Sequence, residues 1–486
     1  MNYSETIKFL YKRFNRGYSN ASYYTNIGQW LDWYKGTVKD FHSVRVSNGL
    51  TSSTHEIYKL KMAKRVCEDY TSAILSKDIS FVINSTNKRS DVFVQGTKGN
   101  GGVLGSNDFD NLLSTALEKM FALGTSAFVV ELNNIQVDNI GNILTSPNAK
   151  INITQKDATC ILPISWVNGI INEAAFLGEI TIKEKVYTIV TSHIKEDDGY
   201  VIYTDIIDNK GINQPLPLGY VPVIRTHIDK PLFEILKTNI SNNIDLNSPL
   251  GLSIYANAID VLKGCDEVYD SILGDIKAKQ PITFMNKNLL ARDTEGNVAI
   301  PQDYKQRFMQ YFGDDVVSEN GAENFIKNFS PTLNTDALDK ELQNQLNLLS
   351  SKVGLGQDYY KFDNGTIKTA TEYLGDKADF VANSDKITKG LLNALKGLVR
   401  TILVIGHDVM GLNVDADAKI DILYNDGVDE DDTKKREQDR QDVKDGIMSK
   451  AEYRAKWYGE TIQEAEKKIA QIENNSSVNS TDSNIE

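Results

Sequence analysis

Cysteine is scarce in this chain. Its 486 residues hold three, Cys67, Cys160 and Cys265, far apart and odd in number. They suggest no disulfide framework, and a cysteine-based zinc site is close to excluded. Histidine is nearly as rare: His42, His55, His193, His227 and His407, no two of them spaced i,i+4 to make a metal-binding helix face. Long apolar runs are missing too. The most apolar stretch, Leu391 to Val409, is broken by Lys396, Arg400, His407 and Asp408, which makes it too polar and short for a membrane span. The opening MNYSETIKFLYKRF lacks the apolar core of a secretory leader. There is no excess of positive charge either, with 53 Lys and Arg against 66 Asp and Glu and a net charge of −13. Such a chain is a poor candidate for wrapping nucleic acid by phosphate neutralisation. An acidic surface that must not adhere to DNA stays open, through like-charge repulsion. A soluble protein kept in a reducing compartment is expected.

What is present suffices for a core. Hydrophobic residues make up 41% and charged residues 24%, which excludes wholesale disorder. Chain length suggests roughly three domains. Residues 1–35 are aromatic-rich and helical in pattern, with Phe9, Leu10 and Phe14 followed by Tyr23, Tyr24, Trp30, Trp33 and Tyr34. These rings either anchor an arm on its own core or dock it on a neighbouring subunit. His55 to Leu75 reads as a helix through Ile57, Leu60, Ala63, Cys67, Tyr70 and Ile74, and Asp108 to Leu123 as another. The Gly-rich stretch Gly96 to Gly105 does not end in Gly-Lys-Ser/Thr, so it reads as a mobile surface loop rather than a phosphate cradle.

From Ser126 to His227 the pattern turns to strands. Ala127 to Glu131 is one, and Val186–His193 with Tyr200–Ile206 reads as a hairpin around Asp197-Asp198-Gly199. Pro249 restarts a helical pattern with Tyr255, Ile259, Leu262, Cys265, Tyr269, Ile272 and Ile276 as its stripe, ending before Pro281. A mixed module follows over 281–333, with Phe308, Tyr311 and Phe312. A second helix then carries Leu338, Leu342, Leu346, Leu349 and Val353, so the two helices read as an antiparallel pair with a tip. Residues 354–369 break the periodicity. A further helix runs through Leu391 to Val409, and Ile420 to Tyr424 is a strand. The tail from Asp429 to Ile472 is helical and highly charged, with a boundary at Asp445-Gly446 and a capping box of Ser449 and Glu452. The last residues, Asn474 to Glu486, are Ser/Asn-rich and expected to be disordered.

No catalytic set assembles. His-Glu-x-x-His, Gly-x-Ser-x-Gly and the Walker A pattern are all absent. Asp415 and Asp417 lack a calcium-loop frame and read as the polar start of a strand. The run Asp429 to Asp432 before Lys434, Lys435 and Arg436 suits a helix start and its dipole. His407, after an apolar run, is expected to be structural. The chain is therefore expected to be no enzyme and to need no cofactor and no metal.

In order and spacing, these segments resemble the portal proteins of tailed double-stranded DNA bacteriophages, in particular those of siphophages and myophages of Gram-positive hosts. The resemblance runs from about residue 20 to 472. It is carried by the helix Ser248 to Gln280, the module 281–333, the helix Asp336 to Val353, and the loop 354–369 leading into Thr369-Ala370-Thr371-Glu372. The tail adds Lys434-Lys435-Arg436, Gly446-Ile447-Met448-Ser449, Trp457-Tyr458-Gly459 and Glu464-Ala465-Glu466. Tyr373 departs from it, standing where relatives often carry a small aliphatic residue.

The resemblance implies an α+β portal fold with wing, stem, clip and crown. An N-terminal arm and wing would occupy 1–247, stem helices 248–280 and 334–353, and a clip 281–333. A tunnel loop would occupy 354–369, a long wing helix and return strand 370–425, a helical crown 426–472, and a disordered tail 473–486. The tunnel-loop residues would be Gly354, Gly356, Asp358, Tyr359, Tyr360, Lys361, Phe362, Asp363, Asn364 and Lys368, forming a polar, mobile channel lining with few intrachain contacts. Stem packing would fall to Tyr255, Ile259, Leu262, Tyr269, Leu338, Leu342, Leu346 and Leu349. Implied with them are a ring, usually of twelve subunits, at one capsid vertex, and duplex DNA held non-specifically in transit. Partners would be the terminase large subunit, a head–tail adaptor, scaffold and the major capsid protein, with no membrane. Assembly is expected in the bacterial host cytoplasm. The alternative is another phage-derived capsid or tail structural protein without a conduit role.

Overall fold

The computed structural model describes residues 2–16, 20–47, 52–85, 87–97, 101–279, 282–286, 294, 309–312, 326–329, 332–361, 378–425, 430–458 and 465–471. Two compact units emerge: Met1–Ile74 with Phe81–Ile422, and Leu75–Ser80 with Leu423–Glu486. The fold is α+β, with mainly antiparallel sheets and several long helices.

In chain order the helices are α1 (Tyr3–Phe14), α2 (Tyr23–Lys35), α3 (Lys39–His42), α4 (Met62–Leu75), α5 (Arg89–Gln95), α6 (Val103–Ser106), α7 (Phe109–Leu123), α8 (Ile259–Ala278), α9 (Thr335–Val353), α10 (Ala378–Val404), α11 (Glu430–Lys444) and α12 (Lys450–Tyr458). The strands are β1 (Ser43–Ser47), β2 (Ser52–Glu56), β3 (Asp78–Asn84), β4 (Thr125–Asn133), β5 (Gln136–Val137), β6 (Ile143–Leu144), β7 (Lys150–Asp157), β8 (Ile161–Val167), β9 (Ile170–Ile182), β10 (Lys185–Glu196), β11 (Gly199–Ile207), β12 (Asn213–Gln214), β13 (Val223–Arg225), β14 (Phe233–Lys237), β15 (Ile282–Asn286), β16 (Met309–Phe312), β17 (Ile326–Phe329) and β18 (Lys419–Asn425).

The largest sheet is an antiparallel meander, β12-β11-β10-β9-β8, with β13 also on β11. Its β10–β11 hairpin turns at Glu196↔Gly199, where the sequence places Asp197-Asp198-Gly199. A second sheet, β14-β4-β7, is the inner one. Central strand β4 is buried on both faces from Thr125 to Val130, as its unbroken Ala-Phe-Val-Val run requires. Helix α7 packs on this sheet through Leu113, Leu117, Met120 and Phe121, and α10 lies on β14. Phe121 and Phe128 are among the largest fully buried side chains, so Phe128→Ala would cost about 3–5 kcal/mol.

The aromatic arm is part of this core. Tyr23 donates to Gly251 O at 2.9 Å and Tyr24 to Ile161 O at 2.6 Å, while Trp30 and Trp33 are buried. Of the two roles expected for these rings, packing on the chain's own core is the one observed. Glycines of the 96–105 stretch also pack. A Cβ on Gly102 would overlap the backbone of Phe93, Val94 and Gly96, so this glycine serves the close approach of α5 and α6; residues 98–100 lie outside the described residues.

Two expected helices are shorter than the periodicity suggests. The segment read as one helix from His55 is strand β2 to Glu56, then irregular chain, and α4 begins at Met62. Residues 248–255 are also not helical, and α8 begins at Ile259 after a 3₁₀ turn at Ala256–Ala258. Its 20 residues rise about 30 Å. The module 281–333 contains a small sheet in which β15 pairs parallel to β16 and antiparallel to β17; Phe308 lies outside the described residues, while Tyr311 and Phe312 lie on β16. Helix α10 ends in a π-helical turn, Ile405–Val409. His407, expected to be structural, is exposed on that turn and bonded to Asp408, its neighbour in sequence. Asp415 accepts from Ser85 Oγ and its own N–H bonds Ser90 Oγ, the polar start of β18.

In the second unit, Ser449 N–H donates to Glu452 Oε2 at 2.8 Å and Glu452 N–H to Ser449 Oγ at 3.1 Å. This is the reciprocal capping box read from the sequence. Gly446, at φ +74, makes the turn between α11 and α12. Residues 472–486 lie outside the described residues.

Candidate functional site: the helical hairpin and the loop at its base

Helices α8 and α9 pack side by side along an apolar seam. Leu262 and Cys265 of α8 are buried, as are Leu342, Leu346, Leu349 and Val353 of α9. Tyr255, read as part of the first stem stripe, is fully buried ahead of the helix and donates to Trp30 O at 2.8 Å. Ile259, Tyr269 and Leu338 are half-buried. Gly264 leaves room for Gln345 to lie across α8, since a Cβ there would overlap the Gln345 amide. At the far end, Asp275 accepts from Lys279 Nζ at 2.9 Å and from Asn334 N–H at 2.9 Å. One carboxylate thus ties the last turn of α8 to the chain entering α9, and the Asn334 N–H and Lys279 ammonium hold it below its ordinary pKa.

Two more carboxylates, one turn apart on α8, bind the segment around β1 and β2. Val38 N–H donates to His42 Nδ1 at 3.1 Å, so the proton sits on Nε2 and is donated to Asp266 Oδ2 at 2.9 Å. Leu60 N–H donates to Asp266 Oδ1 at 2.7 Å. Asp270 lies 3.0 Å from His55 Nε2 and accepts from Tyr58 N–H at 3.0 Å. Two backbone amides are spent on α8 in this way, which is why the apolar residues of 57–61 do not continue a helix.

The base of the hairpin is where the loop begins. Gly354 ends α9 at φ +82, and a Cβ there would overlap the Asn383 side chain. Asn383 Nδ2 donates to Gly354 O at 3.0 Å, and Tyr70 OH to Val353 O at 2.8 Å. Leu355 is buried. Gly356 and Asp358 also take positive φ, +88 and +60. Tyr360 OH donates to Asp69 Oδ2 at 2.8 Å, and Gln343 Nε2 donates to Tyr360 O at 3.0 Å. Burial raises the Asp69 pKa against the opposing pull of Tyr360 and Arg65, and burial beside Asp69 pushes the Tyr360 phenol far up. The Tyr359 ring stacks edge-on to Tyr360 and tilts against Phe380 of α10.

The expectation of few intrachain contacts therefore fails for 354–361. This stretch is pinned to α4, α9 and α10. Gly354, Gly356, Asp358, Tyr359, Tyr360 and Lys361 are described; Phe362, Asp363, Asn364 and Lys368 lie outside the described residues. A cavity of about 220 Å³ opens beside this junction, lined in part by Asn257, Lys352, Asn383 and Lys386.

Asp69, Tyr70, Asp266, Asp270 and Asp275 organise the site and were missed as site residues in the sequence. The i,i+4 spacing of Asp266 and Asp270 beside an apolar stripe was their one visible signal.

The arrangement consists of hydrogen-bonded ties between helices and the segments packed on them. Among the described residues, no group of three or more His, Cys, Asp or Glu is placed to hold a metal ion. Burial pushes the Cys265 thiol to about 12 and Cys67 well up, so neither is a thiolate at neutral pH. Among the described residues, no helix is long and apolar enough to cross a membrane.

No family model and no curated protein matches the chain. Solved structures are remotely similar to it. A chain in "Neck of native GTA particle computed with C12 symmetry" is 10% identical at a TM-score of 0.36, covering 81% of this chain and 88% of that chain. Chains in "Neck of empty GTA particle computed with C6 symmetry" and "Virion of native gene transfer agent (GTA) particle" give the same 10% identity, TM-score of 0.36 and coverage of 81% and 88%.

Proposed function

We propose that the chain is the subunit of a portal-type ring, a channel at one capsid vertex through which double-stranded DNA is packaged and ejected. The observation that carries this reading is the α8–α9 hairpin. Two helices of 20 and 19 residues, tied by Asp275, lead to and from a small three-stranded sheet. That is the economical way to hold a docking module away from a body while leaving the helices side by side for neighbours.

In this reading α8 and α9 are the stem, 281–333 the clip that meets the terminase large subunit and the head–tail adaptor, and 354–369 the channel loop. The body formed by 1–247 and 370–425 is the wing, and 426–472 the crown. Scaffold and major capsid protein are the partners during assembly. Twelve copies is the number usual in the family that the sequence resembles. The pinned stretch 354–361 gives the channel loop a fixed root. The net charge of −13 keeps transit weakly attractive at most, because each cation gripping a phosphate adds salt-dependent friction. The subunit acts as conduit and adaptor, without a reaction of its own.

Deleting residues 285–330 tests the docking role. The deleted protein is expected to keep its core and lose binding to terminase and adaptor. Packaging at the wild-type rate with the deletion would refute the clip assignment.

A further inference from the structure

The largest sheet carries an exposed knob beyond one edge and a cleft at the other. The knob is Leu218, which is wholly exposed. It stands on residues 215–222, a strap that holds Pro215, Pro217 and Pro222, three of the chain's ten prolines. Both ends of the strap are fixed to β11. There β12 pairs at Ile206 and Ile207, β13 pairs from Val201 to Tyr203, and Thr204 N–H donates to Pro222 O at 3.0 Å. At the tip Tyr220 N–H donates to Pro217 O at 3.3 Å, and Gly219, at φ +96, supplies the positive φ that this tight turn needs after Leu218. The leucine is thus displayed on a fixed turn.

The cleft lies at β8, the opposite edge of the sheet. It measures about 160 Å³ and is walled by Pro163 and Trp166 of β8, Tyr23 and Tyr24 of α2, and Pro249 and Leu250. Leu246, which sits between two lining residues, is 86% exposed, and Val167 and Ile170 beside the β8–β9 turn are exposed as well.

We propose that the Leu218 turn of one copy seats in this cleft of a second copy, so that each cleft is completed by a neighbour's strap. A cavity of this volume takes one group of about the size of benzene, and a leucine side chain fills it. Apolar side chains flanked by proline suit walls of aromatic rings, and a fixed turn loses little freedom on docking. Within one copy the two halves do not meet, since Leu218 is wholly exposed and the cleft is open among the described residues. Between copies, a knob and a cleft on opposite edges of one sheet make a head-to-tail contact that repeats. Opposite charges flank the two halves. Asp245 lines the cleft, while Lys12 and Lys210 line the groove at the foot of the strap. One turn in one cleft covers only part of the roughly 800 Å² per partner of a stable contact, so it sets the register of a larger face between copies. This contact rests on the ring reading only in needing self-association; DNA plays no part in it.

The test places photoreactive benzoylphenylalanine at position 218 of the full chain. The labelled chain is mixed with unmodified chain grown on heavy nitrogen, irradiated, and its adducts mapped by peptide mass. Adducts on heavy peptides spanning 163–167 or 245–250 are expected. Sedimentation over a concentration series is the second readout. Leu218→Asp should assemble at least about tenfold more weakly than wild type, because a charge would enter the apolar cleft. Leu218→Met, apolar and similar in volume, should assemble as wild type does. Both sit on an exposed position, so their circular dichroism should match wild type. Adducts confined to the photoreactive chain itself, or heavy adducts confined to other segments, would overturn the contact. So would Leu218→Asp assembling like wild type. Native mass on the same samples keeps the two readings apart. A ring without adducts in the cleft sinks the knob contact and leaves the ring standing, with the cleft open to an apolar segment of another protein. Cleft adducts in an open filament uphold the contact and count against the closed ring.

Discussion

Glu234→Gln probes how the long helix α10 rests on the inner sheet. Glu234, on β14 opposite Phe128 of β4, points its carboxyl at Gly397 of α10, where any side chain would overlap it. Burial raises its pKa from 4.5 to about 7, against a smaller opposing pull from Lys230. A folded pKa above the unfolded one means that folding favours the protonated acid. That stability is fully present below about pH 4.5 and is lost as pH rises through about 7. At about 1.4 kcal/mol per tenfold change in proton affinity, the ceiling is about 3 kcal/mol. Partial exposure screens the charge, so a loss of about 2 kcal/mol is expected at pH 8. Glutamine keeps the shape and removes the titration. Urea unfolding followed by tryptophan fluorescence should give matching midpoints for wild type and variant near pH 4.5. At pH 8 the variant should be the more stable by about 2 kcal/mol. A difference that does not vary with pH would refute the reasoning.

Tyr360→Phe should cost about 1 kcal/mol and speed amide exchange across 354–361, because Asp69 loses its phenol donor. Unchanged exchange would mean that the loop is held by its other contacts alone. Gly354→Ala should cost about 1–3 kcal/mol through its left-handed backbone and the overlap with Asn383, read in the same unfolding assay. Ser449→Ala should lose about 1 kcal/mol of helix stability in the C-terminal unit, visible as lower helicity on mild heating, since one half of the capping box goes.

Local chemistry was legible where it decided the structure. The β10–β11 hairpin, α7, α9 and the Ser449–Glu452 box follow from period, turn residues and caps lying within a few positions of one another. The start of α8 was not. Leu250, Leu252 and Tyr255 continue an apolar stripe, yet Gly251 N–H donates to Thr125 Oγ1 and Ile254 N–H to Phe121 O. These partners lie more than a hundred residues away and hold the chain extended. The same holds within 57–61, where the Tyr58 and Leu60 amides go to Asp270 and Asp266, and for the loop root, where Tyr360 meets Asp69. Periodicity reports that a residue is buried; it does not report which distant backbone claims its hydrogen bonds. The aromatic arm shows the same limit, since Tyr23, Tyr24 and Trp30 looked equally suited to a neighbour until their partners Gly251, Ile161 and Tyr255 were placed.

The central claim is a closed ring. Electron microscopy of the purified full-length protein, averaged without imposed symmetry and paired with native mass measurement, tests it most directly. A single large species is expected, whose end-on views show rotational symmetry, twelvefold by the family resemblance, around an open axis. A monodisperse monomer at micromolar concentration, also in the presence of scaffold and capsid protein, or an open filament or sheet, would contradict it.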